Sequence, residues 1–287
     1  MVEKNANERD ESWGGRNAAA NDNAADTWPR ADGLFDAHCH LDWFADAAAA
    51  AEALAAHGVG VFAVTVTPTG YEKACQILAS SSNVFVAAGL HPWWLADGRA
   101  GADEVDALCE AIPHTRYVGE VGLDFSPKRI GTDEGAEQVA AFRRICEVAA
   151  STSCPDSPTI VSIHAVRAAN TVLDILAETH CAERCRCVLH WFSGSSTELW
   201  RAVRMGVSVS LGEHSLATKR GREYARIIPE ESLLIETDYP PGEGWAGPAE
   251  AVSKSLTRAV EGIALARGLD TASTRTFLAR NARELMS

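Results

Sequence analysis

Positive charge and unbroken apolar sequence are both scarce in this 287-residue chain. Lysine and arginine total 26 against 39 acidic residues, a formal net charge of −13. A protein that coats nucleic acid needs clustered Lys and Arg against the phosphates, so that mode of binding is excluded. A nucleic acid gripped at one concentrated point of positive charge, such as a metal site, is not excluded. No stretch of about 18 apolar residues occurs, so no membrane-spanning helix and no membrane partner are expected. The N-terminus lacks the apolar core of a signal peptide, and its acids are foreign to a transit peptide. A cytoplasmic location is the resulting expectation. Paired C-x-x-C spacings are missing as well. The eight cysteines are scattered, unlike a secreted disulfide framework. The segment CAERCRCVLH, with Cys181, Cys185, Cys187 and His190, reads either as a small zinc site or, more simply, as reduced thiols.

What is present is ordinary globular sequence, 46% hydrophobic and 23% charged. Residues 1–32 are rich in Asn, Asp, Glu and Ala without a steady period, and read as a disordered tail. From Gly33 onward, short apolar runs alternate with helical patterns. The runs are GLFDAH, 59–67, 83–91, 116–124, 158–165, 187–194, 206–213 and 232–238. Helical stretches include 134–150, 168–179, 247–266 and 273–286. Eight strand candidates alternating with helices predict a parallel sheet buried on both faces. At this length the expected architecture is an α/β fold, one (β/α)8 TIM barrel over residues 33–287.

The chemistry-bearing residues follow the strands. His38 and His40 in FDAHCHLD are two apart, so on an extended segment they share a side. Glu120 follows YVG, His164 follows TIVSI, His190 follows CVL, and Asp238 follows LLIET. Each alone is an ordinary polar cap on a strand. If the strands close into one barrel, four imidazoles and two carboxylates converge at its C-terminal mouth, where barrel enzymes build active sites. That donor set suits one or two divalent cations such as Zn²⁺, Mn²⁺ or Mg²⁺. Asp124 and Asp42 read either as acids orienting a ligand histidine or as structural caps. Ser193 and Gly194 offer backbone N–H groups to a phosphate or form a plain turn. Trp93 and Trp94 read as base-stacking residues or as plugs of the barrel rim.

Taken together, FDAHCHLD, GLHP, VGEVGLDF, SIHAVRA, VLHWFSGS, IETDYP and NARELM resemble the TatD family of metal-dependent deoxyribonucleases, barrels of the amidohydrolase-like type. The motifs cover about residues 34–287. Within the family, WFSGS, GLHPWW and IHAVRAA look most like the QatD component of the Qat anti-phage defence system. The resemblance implies two metals: His38, His40 and Asp238 on the first, His164 and His190 on the second, and Glu120 bridging them. It implies that Asp238 also handles the proton of the attacking water. It further implies that His91 and Arg167 bind the scissile phosphate, with His91 not a main ligand. Two departures stand out. HAVR sets Arg167 three residues after His164, where many members have two. YPPGEGWAGP is unlike the longer substrate loops of many members.

The implied activity is hydrolysis of DNA phosphodiesters, as an exonuclease on DNA ends or single strands. Two other functions remain open. The same barrel serves hydrolases of amides, lactones and phosphotriesters. A partner-gated binding subunit of a defence complex is the other.

Overall fold

The computed structural model describes Trp28, Arg30, residues 33–130, Asp133 and residues 135–287. The expected tail over 1–32 lies outside these apart from Trp28 and Arg30, and Trp28 is buried.

Eight strands alternate with helices: β1 (Leu34–Cys39), β2 (Val59–Val64), β3 (Val84–Ala87), β4 (Tyr117–Asp124), β5 (Ile160–Val166), β6 (Arg186–Leu189), β7 (Ser208–Leu211) and β8 (Leu233–Ile235). Every pairing is parallel, in the orders β1-β2-β3 and β4-β5-β6-β7-β8. Backbone hydrogen bonds bridge both seams. Between β3 and β4, Ala88 N–H donates to Tyr117 at 3.0 Å and Gly119 N–H to Ala88 at 2.8 Å. Between β8 and β1, Asp238 N–H donates to the His38 carbonyl at 2.9 Å and His40 N–H to Tyr239 at 2.8 Å. The sheet therefore closes into the expected (β/α)8 barrel.

All eight expected strands are present. For β2, β3, β6, β7 and β8 the expected run continues past the strand. The overrun is the stretch where the chain leaves the sheet to build the mouth. The two terminal helices, Glu250–Arg267 and Thr271–Met286, match the expected positions. Helix starts follow the capping chemistry of the sequence: Ser195 and Glu198 form a capping box, and Asp270 accepts from Ser273 N–H.

Side-chain alternation divides the barrel. In β5, Val161 and Ile163 join the apolar layer under the helices, while Ile160, Ser162 and His164 have the opposite parity. Phe35, Phe62, Phe85, Tyr117, Ile160, Val188 and Leu234 pack together with Trp28 as a separate inner cluster, which the last helix caps with Leu285 and Met286. Phe35, Phe85, Tyr117 and Ile160 stand at or next to the N-terminal ends of their strands, so the lower barrel is filled with apolar side chains. β1 and β4 each carry a register shift, between Asp36 and Cys39 and between Val118 and Val121. A bulge of this kind changes which face later residues present. Hence Phe35 and Tyr117 join the apolar floor, while His38, His40 and Glu120, of the other parity, also face inward.

Candidate metal centre

Above the apolar floor the lumen turns polar, and the six expected residues meet there. Glu120 stands in the middle and is buried. Its Oε2 lies 3.2 Å from His40 Nε2 and 3.6 Å from His38 Nε2. Asp238 Oδ1 closes that side, 3.3 Å from His40 Nε2 and 3.7 Å from His38 Nε2. On the other side, Glu120 Oε1 lies 3.0 Å from each of His164 Nδ1, His190 Nε2 and His91 Nε2. His164 Nδ1 and His190 Nε2 are 3.1 Å apart. One carboxylate thus presents one oxygen to each of two histidine sets.

Neighbouring groups fix the rings. His38 Nδ1 is 2.8 Å from the Ser162 hydroxyl, which leaves Nε2 facing the cluster. His164 Nε2 is 3.3 Å from Asp124 Oδ2, which leaves Nδ1 facing the cluster. Asp124 is itself held by the Trp93 indole N–H at 2.6 Å and by Ser126 N–H at 2.8 Å. His40 stacks on Trp43 at 4.2 Å, and His38 on His190 at 3.8 Å.

His91 differs from the other histidines. It caps the helix Pro92–Ala96, and its Nδ1 accepts the Trp93 N–H at 3.1 Å. A neutral imidazole accepting at Nδ1 carries its proton on Nε2. In the metal-free protein the nitrogen facing Glu120 is therefore a donor.

The spacing fits cations. Donors about 2.1 Å from a tetrahedral ion stand about 3.4 Å apart, and donors at right angles about 3.0 Å. The first set spans 3.2–3.7 Å and the second 3.0–3.1 Å. His38 Nε2 and Glu120 Oε2 are buried with no hydrogen-bond partner among the described residues. Buried polar atoms are normally satisfied, and a cation would satisfy these. Among the described residues, the groups able to hold a metal are His38–His40–Glu120, His38–His190–Asp238 and His91–Glu120–His164.

Charge follows the same geometry. Burial lowers His38 to about 4, aided by its stacked neighbour His190. Burial likewise lowers His91 to about 4, so it is neutral at pH 7. Burial opposes charge on His40 and His164 too, but carboxylate contacts outweigh it. Asp238 and Glu120 push His40 up to about 10, and Asp124 and Glu120 push His164 up to about 9. Glu120 is held well below the usual carboxylate range despite burial, because the histidines surround it. Asp238 is also lowered, through His40.

Other expectations met different outcomes. Arg167 is not among the residues lining the mouth cavity. It is exposed just past β5 with φ 54°, and no partner for its guanidinium is found among the described residues. Asp42 makes no hydrogen bond to a cluster histidine among the described residues. Burial raises its carboxyl to about 6. Ser193 lines the cavity, whereas the Gly194 carbonyl is taken by the Tyr224 hydroxyl at 2.6 Å. Trp93 and Trp94 both line the cavity. Cys181, Cys185 and Cys187 are free thiols in the apolar layer outside the barrel, with Cys181 and Cys187 sulfurs 3.9 Å apart. His190 faces the lumen instead, so the CAERCRCVLH zinc site does not form.

Two buried acids were not foreseen. Asp36 accepts from Thr237 N–H at 2.9 Å and from the Thr237 hydroxyl across the β1–β8 seam. Burial raises it to about 7. Glu236 accepts the Trp191 N–H at 2.7 Å and pairs with the Ser210 hydroxyl. Burial holds it well above its ordinary value. Both interrupt apolar strands, in FDAH and IETD, where an acid is costly to bury without partners. That cost was the available signal.

A closed parallel barrel with one carboxylate set between two histidine groups at its C-terminal mouth is the frame of a metal-dependent barrel hydrolase. The TatD related DNase family matches residues 35–287. The chain belongs to that family, whose members are metal-dependent hydrolases of phosphodiester bonds. It is 30% identical over 191 residues to the 3'-5' ssDNA/RNA exonuclease TatD of Citrobacter rodentium, covering 64% of this chain and 69% of that one. It is 28% identical over 274 residues to the human deoxyribonuclease TATDN3, covering 88% and 94%. Among solved structures, YJJV, a TatD homologue from Escherichia coli K12, superposes with a TM-score of 0.72. It is 22% identical, and the match covers 88% of this chain and 97% of that one.

Proposed function

We propose that this protein is a two-metal nuclease that removes nucleotides from DNA ends or single strands. The observation that carries this reading is Glu120, with one oxygen toward His38 and His40 and the other toward His164 and His190. His38, His40 and Asp238 would hold the first ion, His164 and His190 the second, and Glu120 both. The imidazole-rich donor set favours Zn²⁺ or Mn²⁺ over Mg²⁺. Bound divalent cations supply an acidified water and neutralise phosphate charge.

The protein's own groups do the rest. Asp238 is ionised and is the only one of the two acids with solvent access, its side chain 23% exposed against 3% for Glu120. It is placed to accept the proton of an attacking water. His91 presents a neutral Nε2–H to a phosphate oxygen. Asp124 keeps His164 turned toward Glu120. Arg167 reaches a phosphate only by swinging in from the rim. The cavity over the cluster is about 370 Å³. That is near the lower end for small-ligand sites, and it suits one terminal nucleotide better than a continuous duplex.

WFSGS, GLHPWW and IHAVRAA support a place in an anti-phage defence system with partner proteins. Eight free cysteines support a reducing, cytoplasmic setting. No helix among the described residues is long and apolar enough to cross a membrane.

Digestion of end-labelled DNA in EDTA, then with Zn²⁺, Mn²⁺ or Mg²⁺ added back, tests the assignment. Release of terminal nucleotides only with metal supports it. Hydrolysis of esters or lactones without nucleotide release contradicts it.

A further inference from the structure

The walls of the mouth cavity are aromatic: Trp43, Trp93, Trp94 and Trp191 line it together with Pro240 and Pro241. Two of these rings are left open to solvent, Trp93 at 36% and Trp191 at 39%. Large exposed apolar rings around a polar centre mark a recognition surface.

Trp191 is the less constrained by its own chemistry and the more constrained by its backbone. It directly follows His190 and sits at φ 39°, a conformation strained for a bulky residue. The strain is held by its N–H, which donates to buried Glu236 at 2.7 Å. Glu236 is braced in turn by the Ser210 hydroxyl from β7. One face of the indole is backed by a near-parallel His214 ring, 5.8 Å away and tilted by 10°. Three elements thus fix an exposed indole beside His190. A merely structural tryptophan needs neither this strain nor this exposure.

Trp93 is fixed by different means. Its indole N–H is spent on Asp124, and Arg129 covers one face at 4.5 Å. Arg99 lies over Trp94 at 3.9 Å, and Asp97 binds both guanidiniums. The rim therefore carries rings backed by positive charge in a chain that is acidic as a whole.

We propose that Trp191 stacks on the nucleobase next to the phosphate being cleaved and so seats the terminal nucleotide over the histidine–carboxylate cluster. This rests on the nuclease reading above and names the residue that holds the terminal base. Stacking has the right chemistry, because every base offers a π-face and the contact is tolerant of sequence. A paired base cannot enter between the walls without leaving its stack. Glu236 acts through Trp191 as a positioning residue.

The test compares initial cleavage rates on a short single strand and on the same strand with abasic residues at both ends. Wild-type protein should cut the ordinary strand about tenfold or more faster than the abasic-ended strand. Trp191→Ala should shrink the ordinary-to-abasic ratio to about twofold or less. Trp191→Phe, which keeps a ring, should retain most of it. A wild-type ratio near one, or a ratio unchanged in Trp191→Ala, overturns the stacking role while leaving the nuclease intact. A wild type that cuts neither strand with any metal overturns the nuclease reading itself, and this inference with it.

Discussion

At His91 only one imidazole nitrogen remains to face Glu120, because the other accepts the Trp93 N–H. A donor there should matter to the reaction and not to the metal. His91→Ala is expected to lower kcat about 100-fold with bound metal unchanged. His40→Ala should lose the first ion. Elemental analysis of the two purified variants beside their rates checks this, and loss of metal in His91→Ala would make His91 a ligand after all. His40 and His164 carry a second prediction. In the metal-free protein they are held protonated up to about 10 and about 9. A cation must displace those protons. Near pH 7.5, metal binding should therefore release protons, and affinity should rise with pH until those values are passed. Calorimetry in two buffers of different ionisation enthalpy measures the release. Proton uptake, or affinity falling as pH rises, would contradict the placement of these charges.

At the scale of the element, the strands deliver the site through their ends and their bulges. Gly122 in β4 sits at φ 137°, and a Cβ there would lie 2.1 Å from the His164 carbonyl oxygen. Gly122→Ala should therefore cost roughly 2 kcal/mol or more and disturb His164 together with Glu120. Thermal unfolding of the variant, with metal content, reads both effects, and an unchanged melting temperature would contradict the close approach. Much of this architecture was legible in the chain. Each cluster residue follows an apolar run, and eight such runs at this spacing close into a barrel that collects them. What escaped depends on pairings remote in sequence. Asp36 bonds Thr237 about 200 residues away, and Glu236 bonds Trp191 across two strands. Arg167 lies outside the cavity lining for a local reason. Its spacing from His164 is visible in HAVR, but the left-handed turn that leaves it outside the cavity lining is not.

For the whole molecule, the shortage of positive charge no longer conflicts with a nucleic-acid substrate. The acids that lower the net charge include Glu120 and Asp238, the two that would hold cations. The full count of −13 takes every histidine as neutral. A metal-loaded mouth is positive inside an acidic body, which favours engaging a few nucleotides over coating long duplexes. Cations that bind only the folded state should also stabilise it. EDTA is expected to lower the melting temperature by several degrees, recovered on adding Zn²⁺ or Mn²⁺, as scanning calorimetry would record. An EDTA-insensitive transition would argue against resident ions.

The most direct test of the central claim is nucleotide release from a 5'- or 3'-labelled single strand by wild type and Glu120→Ala, each with and without added metal. Metal-dependent release by the wild type and none by Glu120→Ala is the predicted result. Release by Glu120→Ala at the wild-type rate, or by the wild type in EDTA, would contradict a carboxylate-bridged two-metal site.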